Sequence, residues 1–433
     1  MALLAAARLL FPVSSPPIEN GALLIDGGRI RAVGTLADLR SQVVGARVVD
    51  YGDRVILPPL VNAHTHLELT GFPEWLAEGE GHLPDGDFTA WLLRVIAVKR
   101  SLDLEAHRQA IRDGLEMCLR FGTGAIGDYL SVHSLADSYV HSPLLGRVYF
   151  EVLGQDEQAF TGVLSNISRK LQQQPGPHLS AGLAPHAPYT LNRQTLGMAA
   201  DAVRLGQLAA SIHAAESPAE TELLRSASGP LAERIYPLAG WQDYLGRGEG
   251  LSPIAFLDDC GLLNPGLVLV HGVQVNSDDL ELIRRRGCAM VLCPRSNERL
   301  GVGCAPAAGY LRAGIPLGLG TDSLASCDNL SLWHEMAAAS RLYPELTPVQ
   351  VLRMATHGGA EALGIGERIG SLAAGREAHF QVVEADTSTW SDSMVLESLT
   401  AGGDRVRVEQ LVLHGSERLP GSSHPTYNPA SIR

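Results

Sequence analysis

The chain has 433 residues, with 34 basic against 47 acidic side chains and a formal net charge of −13. Lysine occurs only at Lys99 and Lys170, so there is no basic run to hold a phosphate backbone, and a nucleic-acid role is disfavoured. Hydrophobic residues at 45% and charged residues at 19% describe a folded chain rather than a disordered one. The length suits a barrel of the ~250-residue class with an accessory domain, or two or three separate domains.

From the N-terminus, Met1 to Phe11 is apolar, but Arg8 interrupts it and no positive leader precedes it, which argues against a secretion signal. Six cysteines lie scattered without a C-x-x-C pair, the pattern of reduced thiols in a cytoplasmic protein. No apolar run approaches the roughly 18–20 residues that span a bilayer, so no membrane role is expected. Residues 1–57 alternate short apolar runs with turn residues, as in Ala22 to Ile25, Asp26-Gly27-Gly28 and Arg29 to Val33. That alternation predicts hairpins. The same pattern returns in residues 370–433, at His379 to Val383 and Gln410 to Leu413. The two ends are therefore expected to build one small composite β-sandwich domain. The Pro-, Ser- and Gly-rich segment from Leu419 to Arg433 is expected to be an extended tail.

Between the ends, residues 58–369 carry most of the β-prone runs: Val55 to Val61, Gly124 to Tyr129, Arg147 to Leu153, Leu179 to Ala184, Leu208 to Ala214, Leu267 to Val273, Cys288 to Pro294 and Ile315 to Thr321. Helical stretches such as Arg108 to Arg120 and Ser277 to Arg286 separate them. This alternation predicts an α/β fold, a distorted (β/α)8 TIM barrel.

In such a barrel the carboxyl ends of the strands converge on one face, where the chemistry is done. The first strand runs into His64-Thr65-His66, two imidazoles pointing the same way. Alone, H-x-H is often incidental. The fifth strand ends at His213, with Glu216 three residues on, and the eighth runs into Asp322. Taken singly, these read as a core histidine, a first-turn glutamate and a helix N-cap. Together they offer three nitrogens and one carboxylate from three strand ends to a single cation. The sixth strand adds His271, a fourth imidazole or a group that polarises the centre under attack, and the fourth adds His186, a substrate contact or a strand cap.

The segments Leu60-Val61-Asn62-Ala63-His64-Thr65-His66, Ile212-His213-Ala214-Ala215-Glu216, Leu269-Val270-His271-Gly272, Cys293-Pro294-Arg295-Ser296-Asn297 and Leu319-Gly320-Thr321-Asp322-Ser323 resemble, in order and spacing, the amidohydrolase superfamily. The likeness runs from about residue 20 to about residue 390 and is to the mononuclear deaminase and chlorohydrolase branch. It implies one Zn2+, or Fe2+, on His64, His66, His213 and Asp322. The binuclear members use a carbamylated lysine from the fourth strand, which here has no lysine. It further implies Glu216 as proton shuttle, His271 as stabiliser of developing charge and Asp322 as a ligand that also helps deprotonate water.

The stretches Ser252 to Leu257, Gly261-Leu262-Leu263 and Cys293 to Asn297 look most like aminodeoxyfutalosine deaminases, with S-adenosylhomocysteine deaminases next. The partner implied is a small aminopurine nucleoside. Cys327 stands where that subgroup would carry Asn. Trp91, at the end of a loop from His82, resembles a residue that covers the sugar; it equally suits helix packing. Arg147 and Arg295 are candidates for a substrate carboxylate, Arg295 the nearer to the mouth. Asn297 and Ser323 complete the expected substrate contacts. The alternatives are a methylthioadenosine or guanine deaminase, a triazine-type chlorohydrolase, or a barrel kept only for binding. Pairing into a homodimer is a further expectation.

Overall fold

The computed structural model describes residues 2–43, 45–78, 87–384 and 391–417. The segment from His82 to Gly86 and the tail from Leu419 to Arg433, both read above, lie outside these residues.

Among the described residues, two eight-stranded sheets organise the chain. The first is mixed and drawn from both ends. Its order is Ser416–Glu417, Arg407–Leu413, Phe380–Glu384, Val55–Leu57, Leu3–Leu10, Ile18–Asp26 and Arg29–Thr35, with Arg47–Asp50 also beside Leu3–Leu10. The Ile18–Asp26 hairpin turns at Gly27 and Gly28, whose φ angles of 59° and 72° lie where glycine is unstrained. Alternate side chains Ala5, Leu10, Leu23, Ile25, Ile30, Ile56, Phe380 and Val382 bury one face. The C-terminal segment also contributes a helix, Asp392–Thr400, which packs on the helices Leu332–Leu342 and Pro348–Arg353.

The second sheet is the barrel: Leu60–Thr65, Thr123–Leu130, Leu145–Val152, Leu179–Pro185, Ala210–Ala214, Leu267–His271, Ala289–Leu292 and Leu317–Leu319, in chain order and parallel throughout. The run Val55 to Val61 is not one strand. Pro58 and Pro59 have no N–H to give a ladder, so Val55–Leu57 joins the mixed sheet and the barrel begins at Leu60.

The seam between the eighth and first strands is closed by side chains as well as backbone. Asn62 Nδ2 donates to Thr321 Oγ1 at 2.7 Å, and Thr321 N donates to Asn62 Oδ1 at 3.0 Å. The amides of Thr321 and Asp322 both donate to the carbonyl of His64, at 3.0 and 3.2 Å. Gly320 is required there, because a Cβ would lie 2.7 Å from both Cβ and the carbonyl oxygen of His64. Closing this seam places the end of strand eight against the H-x-H of strand one.

Candidate active site

His64 is fully buried, and neither of its ring nitrogens has a hydrogen-bond partner. Buried polar atoms are almost always satisfied, so a missing partner of another kind is indicated. His213 Nδ1 lies 2.7 Å from the carbonyl of His186. It must donate there, so the lone pair of His213 is on Nε2. That Nε2 faces His66 Nε2 at 3.2 Å. Asp322 Oδ1 lies 3.7 Å from Nε2 of both His64 and His66. Metal–ligand bonds of ~2.0–2.1 Å in a tetrahedron put neighbouring donors about 3.3 Å apart. These edges fit that figure, so the residues present suit one divalent cation.

Electrostatics point the same way. Burial, and then the neighbouring His64, push the His66 imidazole down to about 3, and burial among imidazoles takes His213 well below its ordinary range. Both are thus neutral, as ligands must be. Burial would raise the Asp322 carboxyl, but the surrounding imidazoles hold it well below the usual range. Ser296 Oγ and Ser326 Oγ donate to its Oδ2 at 2.7 and 2.9 Å, which leaves Oδ1 for the imidazoles.

Beside this cluster stands Glu216, buried, with Oε1 3.6 Å from His271 Nε2. Burial, Asp322 and Glu220 raise its carboxyl well above the ordinary value. Glu220 fixes the turn by accepting from the amides of Ala215 at 3.0 Å and Glu216 at 2.8 Å. Ser217 caps the helix Pro218–Ser226 that follows. Ala215, His271 and Asp322 have φ of 53°, 74° and 58°, left-handed conformations rare for such residues. Strain of this kind collects where side chains must be aimed.

A cavity opens over the cluster, lined by His66, Glu216, His271, Asp322 and Ser323 on one side and by Leu69, Trp91, Leu92, Val95 and Tyr189 on the other. Trp91 is held by its Nε1–H to the carbonyl of Ala325 at 2.8 Å. His186 lines the cavity too, its Nδ1 3.0 Å from Thr190 Oγ1. Three sequence expectations are corrected. Arg147, at the start of its strand, is at the opposite end of the barrel, donating to the carbonyl of Leu363 at 2.8 Å and to Ser180 Oγ at 3.0 Å. Arg295 turns outward, paired with Asp328 and with Glu335 at 3.5 Å, into a separate groove lined also by His334 and Arg341. Asn297 stands behind His271 and bonds its Nδ1 at 3.0 Å, instead of facing the cavity.

Two ionisable lining residues were not foreseen, Lys99 and Glu151. Lys99 Nζ lies 2.5 Å from Glu68 Oε1. Burial would raise the Glu68 carboxyl, but Lys99, Ser131 and Val132 pull it down to about 2. Burial raises Glu151 to about 7, against the pull of Lys99. An acid near the mouth end of an apolar strand was the available signal for Glu151; Lys99 had none, being an ordinary last-turn lysine in sequence.

The family model described as Amidohydrolase family matches residues 55–416, about five-sixths of the chain and every residue of the cluster. The chain belongs to the amidohydrolase family. A second, short match covers residues 21–42 and is to an imidazolonepropionase-like composite domain of bacteria. Among curated amidohydrolase relatives, an aminodeoxyfutalosine deaminase of Deinococcus radiodurans is 34% identical, covering 79% of this chain and 81% of its own. A 5-methylthioadenosine/S-adenosylhomocysteine deaminase of Syntrophobacter fumaroxidans is 33% identical, covering 84% and 80%. Of the solved structures, an adenosine deaminase from Xanthomonas campestris with bound zinc superposes with a TM-score of 0.79 at 26% identity, covering 96% of this chain and 92% of that one. Among the described residues of this amidohydrolase, no helix is long and apolar enough to cross a membrane.

Proposed function

We propose that this amidohydrolase is a hydrolytic deaminase of aminopurine nucleosides, aminodeoxyfutalosine-like in substrate, with one zinc ion on His64, His66, His213 and Asp322. The observation that carries the reading is the buried Glu216 carboxyl, 3.6 Å from His271 Nε2 and raised above its ordinary value by burial and by Asp322, beside the cluster of His64, His66, His213 and Asp322. Release of ammonia requires a proton delivered to the leaving group, whereas chloride leaves without one.

The cation, when bound, supplies a water acidic enough to ionise near neutral pH. Every other task falls to the chain. Asp322 Oδ1 accepts a proton from the attacking water while its Oδ2 stays fixed by the two serines. Glu216 protonates the ring nitrogen next to the amino-bearing carbon, then takes the proton of the added hydroxyl and delivers it to the departing amine, and the proton held by Asp322 returns Glu216 to its starting state. His271 donates from Nδ1 to Asn297 Oδ1, and burial pushes its imidazole down to about 4. Its Nε2 is therefore an acceptor at neutral pH. In that state it can aim the water, beside the expected role of stabilising the charge that develops during attack. Trp91, Leu92 and Val95 form an apolar wall against which a flat ring can stack.

The similarity to the methylthioadenosine and S-adenosylhomocysteine deaminases supports the second reading, a substrate with a thioether on the sugar. Scattered free thiols suit a cytoplasmic enzyme. Ammonia release from a panel of aminopurines and their nucleosides, with zinc measured on the same sample, tests the proposal. We expect activity on 6-aminopurine nucleosides at one zinc per chain. Activity on guanine alone, or on none of the panel, would overturn it.

A further inference from the structure

The proposed reaction leaves Lys99 and Glu151 without a task. Lys99 ends one face of the helix Phe88–Ser101, after Trp91, Leu92 and Val95, so the apolar wall runs into a polar floor. There Lys99 is engaged by Glu68, whose oxygens also accept from Ser131 N at 3.1 Å, Ser131 Oγ at 2.6 Å and Val132 N at 3.1 Å. Glu68 is thus fully occupied. Glu151 is not: it is 8% exposed, and its Oε1 is buried without a hydrogen-bond partner. The nearby ring nitrogen His186 Nε2 is 4.0 Å away, beyond hydrogen-bond reach. An acceptor left open in a cavity wall is costly unless a ligand donates to it. Glu68 engages the single ammonium, and Glu151 lines the same cavity with its own acceptor unused.

We propose that Glu151 is a specificity-determining residue, accepting a hydrogen bond from a sugar hydroxyl of the substrate and so selecting nucleosides by their hydroxylated substituent. This rests on the deaminase reading, and it places the ring against the wall of Trp91 and the sugar toward the third strand.

The test is steady-state kinetics of the zinc-loaded enzyme on 5′-methylthioadenosine and its 2′,3′-dideoxy analogue, for the wild type, Glu151→Ala and Glu151→Gln. The wild type should favour the hydroxylated compound in kcat/KM. Glu151→Ala should lose about 10- to 100-fold of that preference through KM, with kcat and zinc content kept. Glu151→Gln, which retains an acceptor oxygen, should recover part of it. If the alanine variant does not hold zinc, the glutamine variant decides: a KM rise confined to the hydroxylated compound supports the proposal, and an equal rise for both overturns it. An undiminished preference in Glu151→Ala overturns the assignment of Glu151 alone. Absence of ammonia from both compounds and from every other 6-aminopurine nucleoside with the wild-type enzyme overturns this proposal and the deaminase reading together.

Discussion

Glu216 and Asp322 sit within one cluster yet fail differently when changed, and that difference separates chemistry from metal binding. Glu216→Gln keeps size and hydrogen bonding but cannot shuttle a proton; turnover should fall about 10²- to 10⁴-fold with zinc content unchanged. Near-normal turnover would remove Glu216 from the mechanism. Ser296→Ala takes one of two hydroxyls from Asp322 Oδ2. Partners behind a ligand typically contribute 10- to 100-fold in affinity, so a chelator competition should show zinc held roughly tenfold more weakly, with kcat at saturating zinc little altered. At this scale the sequence was informative about which side chains meet at the strand ends, as for His64, His66, His213 and Asp322. It was uninformative for Arg147 and Arg295, because an arginine at the wrong end of a strand, or on the outer side of the turn after it, reads the same until the barrel is closed. Lys99 reaches the cavity only because a helix folds back over the mouth.

Among the elements, the seam between strands eight and one decides the geometry of the whole cluster. Gly320→Ala would drive a methyl group into the backbone of His64, and overpacking of this kind costs about 1–3 kcal/mol. Thermal unfolding should show a lowered midpoint, and zinc affinity should drop with it because His64 and Asp322 are displaced together. A variant with wild-type melting and zinc affinity would show that the seam yields freely. The eight barrel strands were legible from their apolar runs, since parallel strands buried on both faces are nearly continuous in hydrophobicity. Their first boundary was not, because Val55 to Val61 is uniformly apolar. Only the missing N–H groups of Pro58 and Pro59 divide it between two sheets.

Across the whole molecule, the mixed sheet is fastened to the barrel by a charged and hydrogen-bonded junction. Glu377 accepts from Arg368 Nε at 2.8 Å and from His379 Nε2 at 2.9 Å. His379 Nδ1 accepts the amide of His414 at 3.2 Å, and His414 Nε2 donates to the carbonyl of Pro143 at 3.0 Å. With one nitrogen of His379 accepting and the other donating, neither is free for a cation, so this trio works as a clasp. Burial would raise the Glu377 carboxyl, but Arg368 and His379 take it down to about 2 from an ordinary 4.5. A depressed carboxyl stabilises the fold above its unfolded value, and that stability is lost as pH falls from about 4.5 toward about 2. Denaturant midpoints at pH 7 and pH 3 should therefore show Glu377→Gln weaker than wild type at pH 7, with the gap narrowed to roughly half at pH 3; a constant gap would discount the clasp. The two-ended sheet carries one more implication, for biosynthesis. Val55–Leu57 leaves the ribosome early, while Phe380–Glu384, its neighbour in the sheet, is made more than three hundred residues later. Until then a nascent chain displays an unpaired, apolar strand edge, the kind of surface that chaperones shield and that a prematurely terminated product would use to aggregate.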